Sequence, residues 1–271
     1  MSDNHDTKIV ADFYDANAAG EWQRIANRPE FLLTCRLLKR HLKPGDSVLD
    51  IGGGPGRYAL HLAQQGLEVT LFDLSPGNIQ FASDKALELG LQLPMVVGDA
   101  RMADKLVHGQ FDHVLLMGPL YHLLDEADRI QAVEAAIKLL KPGGTLWVAF
   151  LNLIAGIIYA MKHQPDYLAQ TAPAELAYME NFVANRSWSG DAFTRAIFAP
   201  WQDVLPFMAR FSLDKLHLFG QEGIMSPCEE RLMTQPPEII ELWLDLCEQI
   251  CEREDLLNWS EHLVYVGRKR S

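Results

Sequence analysis

The sequence predicts an α/β fold: a doubly wound, mostly parallel sheet of seven strands, with a helical lid insert after the fifth. Three observations predict it. Short apolar runs alternate with helix-period segments from residue 47 to residue 151, as parallel strands and their crossovers require. The first run ends at Asp50 in a glycine cluster, Gly52-Gly53-Gly54-Pro55-Gly56, that cannot continue a strand. The second and third runs also end in acids, Asp73 and Asp99.

The elements follow in order. Residues 1–43 form an N-terminal helical cap, read as two helices with Pro29 in the first turn of the second. Residues 44–151 form the α/β core. Its first strand carries Val48, Leu49 and Ile51, and a helix begins near Arg57. A second strand ends at Asp73; Ser75 then caps a helix that turns Ile79, Ala82, Ala86, Leu87 and Leu89 toward the sheet and stops at Gly90. Residues 94–99 and 111–117 read as the third and fourth strands, with Asp112 and His113 as solvated or capping groups. A helix capped by Asp125 ends at Lys141-Pro142-Gly143-Gly144, and residues 145–151 are apolar throughout, as a strand covered on both faces should be.

Residues 152–200 break the alternation and read as the helical insert, with two helices and a loop at residues 187–190. Tyr159, Met161, Tyr178, Met179, Glu180, Phe182 and Trp188 are its candidate lining for a small, partly apolar ligand. Residues 201–271 return to the same sheet: a helix containing Pro206, a sixth strand, a helical pair packing Ile239, Leu242, Trp243, Leu246 and Ile250, and a final strand at residues 262–267.

Composition bounds the partners. The formal net charge is -12 and the isoelectric point about 5.2, a field that repels nucleic-acid phosphates and anionic membranes. Residues 1–8 lack the character of a signal peptide, and the apolar run at residues 153–161 is too short to span a bilayer, so a cytoplasmic location is expected. Cys35, Cys228, Cys247 and Cys251 form no C-x-x-C pair and read as buried thiols; no metal site is expected.

The glycines Gly52, Gly54 and Gly56 fall as G-x-G-x-G directly after Asp50, not as the G-x-G-x-x-G of a dinucleotide turn. Together with Asp73 about 20 residues on and Asp99 after the third strand, this resembles the class I S-adenosylmethionine-dependent methyltransferases of small-molecule type, over residues 48–150 and more loosely to the C-terminus. The resemblance implies a Rossmann-like sheet whose last strand is antiparallel, S-adenosyl-L-methionine as cofactor, and a small-molecule methyl acceptor. It implies that Asp50 meets the methionine amino group, that Asp73 takes the ribose hydroxyls with Leu74 pressing on the adenine, and that Asp99-Ala100 contacts the adenine amine. Met117 and an N-terminal aromatic, Tyr14, would border the same cofactor. The competing views are caps or solvated loop acids for the carboxylates and core packing for Tyr14.

Gly118-Pro119-Leu120-Tyr121-His122 follows the fourth strand, where open α/β sheets place their ligands. Tyr121 and His122 are the candidate catalytic pair, with His122 able to take a proton from an attacking hydroxyl, amine or thiol. The alternative is that Tyr121 packs on the cofactor and His122 hydrogen-bonds backbone. Two other functions stay open at this point: a non-catalytic cofactor-binding or partner protein on the same fold, and a nicotinamide-dependent oxidoreductase, which the glycine spacing and Asp99 disfavour. The oligomeric state and the acceptor atom are not legible.

Overall fold

The computed structural model describes residues 3–26, 28–169 and 172–270. Two helices lead, α1 (Asp3–Ile25) and α2 (Pro29–His41). The core then alternates β1 (Ser47–Ile51), α3 (Arg57–Gln64), β2 (Glu68–Asp73), α4 (Pro76–Glu88), β3 (Met95–Val97), α5 (Ala103–Leu106), β4 (Phe111–Leu116), α6 (Glu126–Lys138) and β5 (Leu140–Leu151). An inserted segment carries α7 (Ala155–His163), α8 (Pro173–Val183), β6 (Trp188–Asp191) and β7 (Arg195–Phe198). The chain closes with α9 (Trp201–Met208), β8 (Leu213–Gly220), α10 (Glu229–Leu232), α11 (Pro237–Ile250) and β9 (His262–Lys269).

Seven strands make one sheet in the order β3-β2-β1-β4-β5-β9-β8. The first five are mutually parallel, and β9 runs antiparallel between β5 and β8. The chain winds outward from β1 to β3, then crosses back to β4. The helices that follow β1 and β4, α3 and α6, therefore lie on opposite faces of the sheet, and a crevice opens at the carboxyl ends where the chain parts. Strand periodicity sends neighbouring residues to opposite faces. Val48, Leu115 and Trp147 join the core under α2, α3 and α11, whereas Leu49, Leu116 and Val148 join the core under α6 and α9. Asn152 anchors the exit from β5: its side-chain amide donates to the carbonyls of Leu257 and Ser260.

Several sequence expectations need correction. Leu87 and Leu89 are exposed; α4 turns Asn78, Ala82 and Ala86 inward. His113 is buried, with Nδ1 at 2.7 Å from Thr145 Oγ1 and Nε2 at 3.2 Å from Asp46. Asp112 is tied to Ser47 and Lys141, and these donors hold its carboxyl at about 2 against the opposing effect of burial. Residues 187–190 are not a loop; Trp188–Asp191 pairs with Arg195–Phe198 as a two-stranded ribbon, so the insert is part helix and part hairpin. On α11 the buried positions are Leu244 and Cys247, leaving Ile239, Leu242, Trp243 and Leu246 exposed. Cys228 is exposed, while Cys247 and Cys251 are buried.

The crevice depends on bare backbone. Gly52 has φ +71°, and a Cβ there would lie 2.4 Å from the Pro119 ring; Gly45 has φ +89° but open space around it. Gly45→Ala should therefore cost only the left-handed backbone term, about 1 kcal/mol. Gly52→Ala should cost roughly 3 kcal/mol, since overpacking adds to it. Chemical denaturation of the two variants checks the difference.

Candidate active site

The turn after β1 carries the site. Gly52 N and Gly53 N both bond the carbonyl of Phe72 at the end of β2, which folds the turn over that strand. Gly53 packs against Asp50, where a Cβ would lie 2.5 Å from the carboxylate. Gly56, at φ +82°, is the N-cap of α3 and lies against Ala82 of α4, so its role is helix packing and it does not line the cavity. The remaining predicted residues do converge. Tyr14, Asp50, Gly52, Gly54, Asp73, Leu74, Asp99, Ala100, Met117, Tyr121 and His122 all border one cavity at the carboxyl ends of β1, β2 and β4.

The three acids differ in what holds them. Asp73 accepts from Gly54 N at 2.8 Å, Ser75 N at 2.9 Å and the Asn78 side chain at 3.1 Å. A carboxylate has about four acceptor positions, so one stays available toward the cavity. Asp99 is braced by Arg101, whose guanidinium reaches both of its oxygens and also Asp128. Asp50 is the least satisfied. It is 1% exposed, and among the described residues no donor reaches its Oδ2. Burial, and then the nearby charge of Asp73, push its carboxyl up to about 7.

Helix α1 roofs the cavity. Asp15 accepts from Ser75 Oγ and from Gly77 N at the start of α4, which docks α1 on the core. Tyr14 then points inward, with its hydroxyl 2.8 Å from His122 Nε2. His122 Nδ1 lies 2.7 Å from the carbonyl of Arg195 in β7. A carbonyl only accepts, so Nδ1 carries the proton and Nε2 accepts from Tyr14. Burial holds this imidazole neutral, at about 4, against the opposing pull of the Arg195 carbonyl. Hydrogen bonding to backbone, the alternative weighed from the sequence, is thus present. The hairpin supplies the cover at this end: Phe193 packs on His122 and Phe13, and Arg195 pairs with Asp6 of α1 at 2.8 Å.

Beyond Tyr121 the cavity ends in charges that the sequence did not flag. Glu21, Arg24 and Glu30 border it, and Arg24 pairs with Glu21 at 2.9 Å and Glu30 at 3.0 Å. Glu222 bonds His262 Nδ1 at 2.6 Å. Burial opposes the charge on His262, but the charges of Glu222 and Glu30 outweigh it and raise the imidazole to about 9. In sequence, Glu21 and Arg24 look like a solvated i,i+3 pair, and Glu222 and His262 lie far away near the C-terminal end of the chain. None of the seven lining candidates of the insert borders this cavity; Tyr159 and Met161 are exposed and Tyr178 is buried in the insert's own core. A second cavity, lined by Leu120, Phe150, Ile197 and Phe207, abuts the other side of Tyr121.

These features fit an adenosyl sulfonium amino acid. The orphaned Asp50 oxygen suits an ammonium group, the glycine backbone admits close approach, and Asp73 and Asp99 stand further along the same crevice. Residues 48–144 match the family model described as a methyltransferase domain. The ubiquinone biosynthesis O-methyltransferase of Xanthomonas campestris pv. campestris strain B100 is 31% identical over 140 residues, covering 52% of this chain and 57% of that relative. The chain thus spans little more than half the length of that relative. The protein of the same description from Xanthomonas euvesicatoria pv. vesicatoria is 30% identical over 181 residues, covering 64% of this chain and 74% of the relative. Among solved structures, magnesium protoporphyrin IX methyltransferase from Synechocystis PCC 6803 with bound S-adenosylhomocysteine superposes with a TM-score of 0.60 at 15% identity, covering 97% of this chain and 99% of that one. The similarity of sequence, with the shared fold and the crevice just described, shows that the chain belongs to the class I S-adenosylmethionine-dependent methyltransferase family.

Proposed function

We propose that the protein transfers a methyl group from S-adenosylmethionine to a small-molecule acceptor, with an oxygen acceptor favoured by the names of the relatives it matches. The single observation that carries this is the convergence of Asp50, Asp73 and Asp99 on one glycine-edged cavity. Asp73 would accept from the ribose, Asp99-Ala100 would meet the adenine beside Leu74, and Asp50 would take the methionine ammonium. When bound, the cofactor supplies an activated methyl on a sulfonium whose charge disappears as the methyl moves. A dry, preorganised site therefore favours the transfer, and much of the rate comes from alignment. The chain's residues would do that work: α1 and the hairpin would exclude water, while Tyr121 and Met117, which line the cavity, would border the methyl end.

We assign His122 a positioning role through Tyr14. Its Nδ1–H is held by the Arg195 carbonyl and its Nε2 by the Tyr14 hydroxyl, so it fixes the phenol at the cavity wall and stays neutral. This narrows the proton-acceptor role expected from the sequence. The acidic net charge supports an acceptor that is neither nucleic acid nor an anionic membrane surface, and no helix among the described residues is long and apolar enough to cross a membrane. A cytoplasmic site of action is part of the proposal.

Calorimetric titration with S-adenosylhomocysteine tests the cofactor assignment. Tight binding to the wild type is expected, with a loss of at least ~10-fold in Asp73→Asn, about the value of a charge-assisted hydrogen bond. Binding of nicotinamide dinucleotide in its place would reject it. Asp73→Ala should also lower stability, because Gly54 N, Ser75 N and Asn78 lose their acceptor.

Asp50 gives the affinity a pH dependence. Its folded carboxyl is raised to about 7, and the ammonium of the ligand requires the ionised form. Affinity should therefore rise as pH increases from about 5 through 7 and then level off; Asp50→Asn should flatten that slope. Affinity falling with pH over the same window would contradict the contact.

Tyr14→Phe and His122→Gln should lower turnover about 10-fold or more, measured as S-adenosylhomocysteine release across phenols, catechols, amines and thiols. If His122 acts only through Tyr14, the double variant should be no worse than the worse single one. Additive losses would give His122 a role of its own.

A further inference from the structure

Glu30 opens α2, Glu222 follows β8 and His262 begins β9, yet one ligand atom from each lies within 4.8 Å of the other two. Their side chains are 13%, 4% and 15% exposed. Glu30 borders the cofactor cavity, and the Tyr121 ring, which borders it too, sits 6.2 Å from the His262 ring.

Charge around this triad is unbalanced in a way that its surroundings are not. The neighbouring carboxylates Glu229 and Glu261 are matched by Lys162, at 2.8 and 2.6 Å, and by Arg28, at 2.9 Å from Glu229. At the cavity end, Glu21, Glu30 and Glu222 bring three negative charges, and Arg24 offsets one through its pairs with Glu21 and Glu30. The imidazolium of His262, bonded to Glu222, offsets a second and leaves one in excess; a metal ion would take the place of that proton on the ring and meet an excess of two. Uncompensated buried charge costs several kcal/mol per ion. A divalent cation would cancel it.

We propose that Glu30, Glu222 and His262 form a divalent-cation site that opens on the acceptor end of the cavity. Two carboxylates and one imidazole suit Mn²⁺, Fe²⁺ or Zn²⁺, and three protein ligands leave coordination positions for a water or a substrate oxygen, as catalytic metal sites do. The role of the site rests on the methyltransferase function proposed above. His122 has both nitrogens engaged, so a hydroxyl acceptor needs another source of acidification. An acceptor oxygen held in the open position would lose its proton to water more readily. Its lone pair would then form the new O–C bond while the C–S bonding pair stays on sulfur.

The purified full-length protein, stripped with chelator, is titrated with Mn²⁺ while free Mn²⁺ is followed by electron paramagnetic resonance, and with Zn²⁺ by calorimetry. One saturating ion per chain is expected for at least one metal. Glu222→Gln and His262→Gln should each weaken it at least ~10-fold. Glu30→Gln, the variant at the cavity edge, guards against a buried substitution that fails to fold; thermal melting and S-adenosylhomocysteine binding report the fold in each case. No saturable binding of either metal by the wild type, or binding unchanged in all three variants, overturns the site. Loss of the ion site with S-adenosylhomocysteine binding intact leaves the cofactor assignment standing. Ion binding without S-adenosylhomocysteine binding supports the ion site and rejects that assignment.

Discussion

Placing carboxylates at strand tips inside one crevice is the constraint on which this molecule is built. Each ionised acid there loses its water, and the fold compensates them unequally. Asp73 is surrounded by donors from the β1 turn, the β2 loop and α4. The same bonds tie the three segments together, so one side chain both faces the crevice and holds its walls. Asp99 leans on Arg101. Asp50 is left short of a donor, and that deficit marks where a cationic group belongs.

The second constraint is steric. Backbone from β1 and backbone from β4 approach so closely that a Cβ on Gly118 would lie 2.6 Å from the Gly52 carbonyl, and one on Gly52 would strike Pro119. Glycine at these positions is a condition for the two loops to meet, and their meeting sets the floor of the cavity. The roof is made differently. Helix α1 is held by Asp6 on Arg195, Thr7 on Arg101, the Tyr14–His122 bond, Asp15 on α4, Trp22 on Arg57 and Arg24 on Glu30, polar contacts spread along one helix. Such a roof is anchored at points, whereas the sheet below is anchored by continuous packing. A cover of that kind is suited to opening for ligand exchange.

Much of the sheet was legible in the sequence, because parallel strands buried on both faces leave uniform apolar runs and their connections leave caps and glycines. Ser75 capping α4 and Pro29 opening α2 are local chemistry and were read correctly. Exposure was misread where periodicity spoke without partners. Ile239, Leu242, Trp243 and Leu246 recur at helical spacing, but α11 packs on α2 and the sheet through Leu244 and Cys247. Residues 187–190 looked like a loop because a short ribbon paired only with its neighbour has little pattern of its own.

What the sequence determined by itself is the alternation of strands and helices up to residue 151, the bare turn after Asp50, and the three acids at strand ends, since each is set by residues a few positions apart. Tertiary structure decided the rest. It gave both nitrogens of His122 to partners at Tyr14 and Arg195, more than 70 positions away on either side, which no local spacing could reveal. It also gathered Glu30, Glu222 and His262 into one pocket. Proton state and charge balance depend on distances of a few ångströms between segments remote in sequence, and only the closed fold fixes those distances.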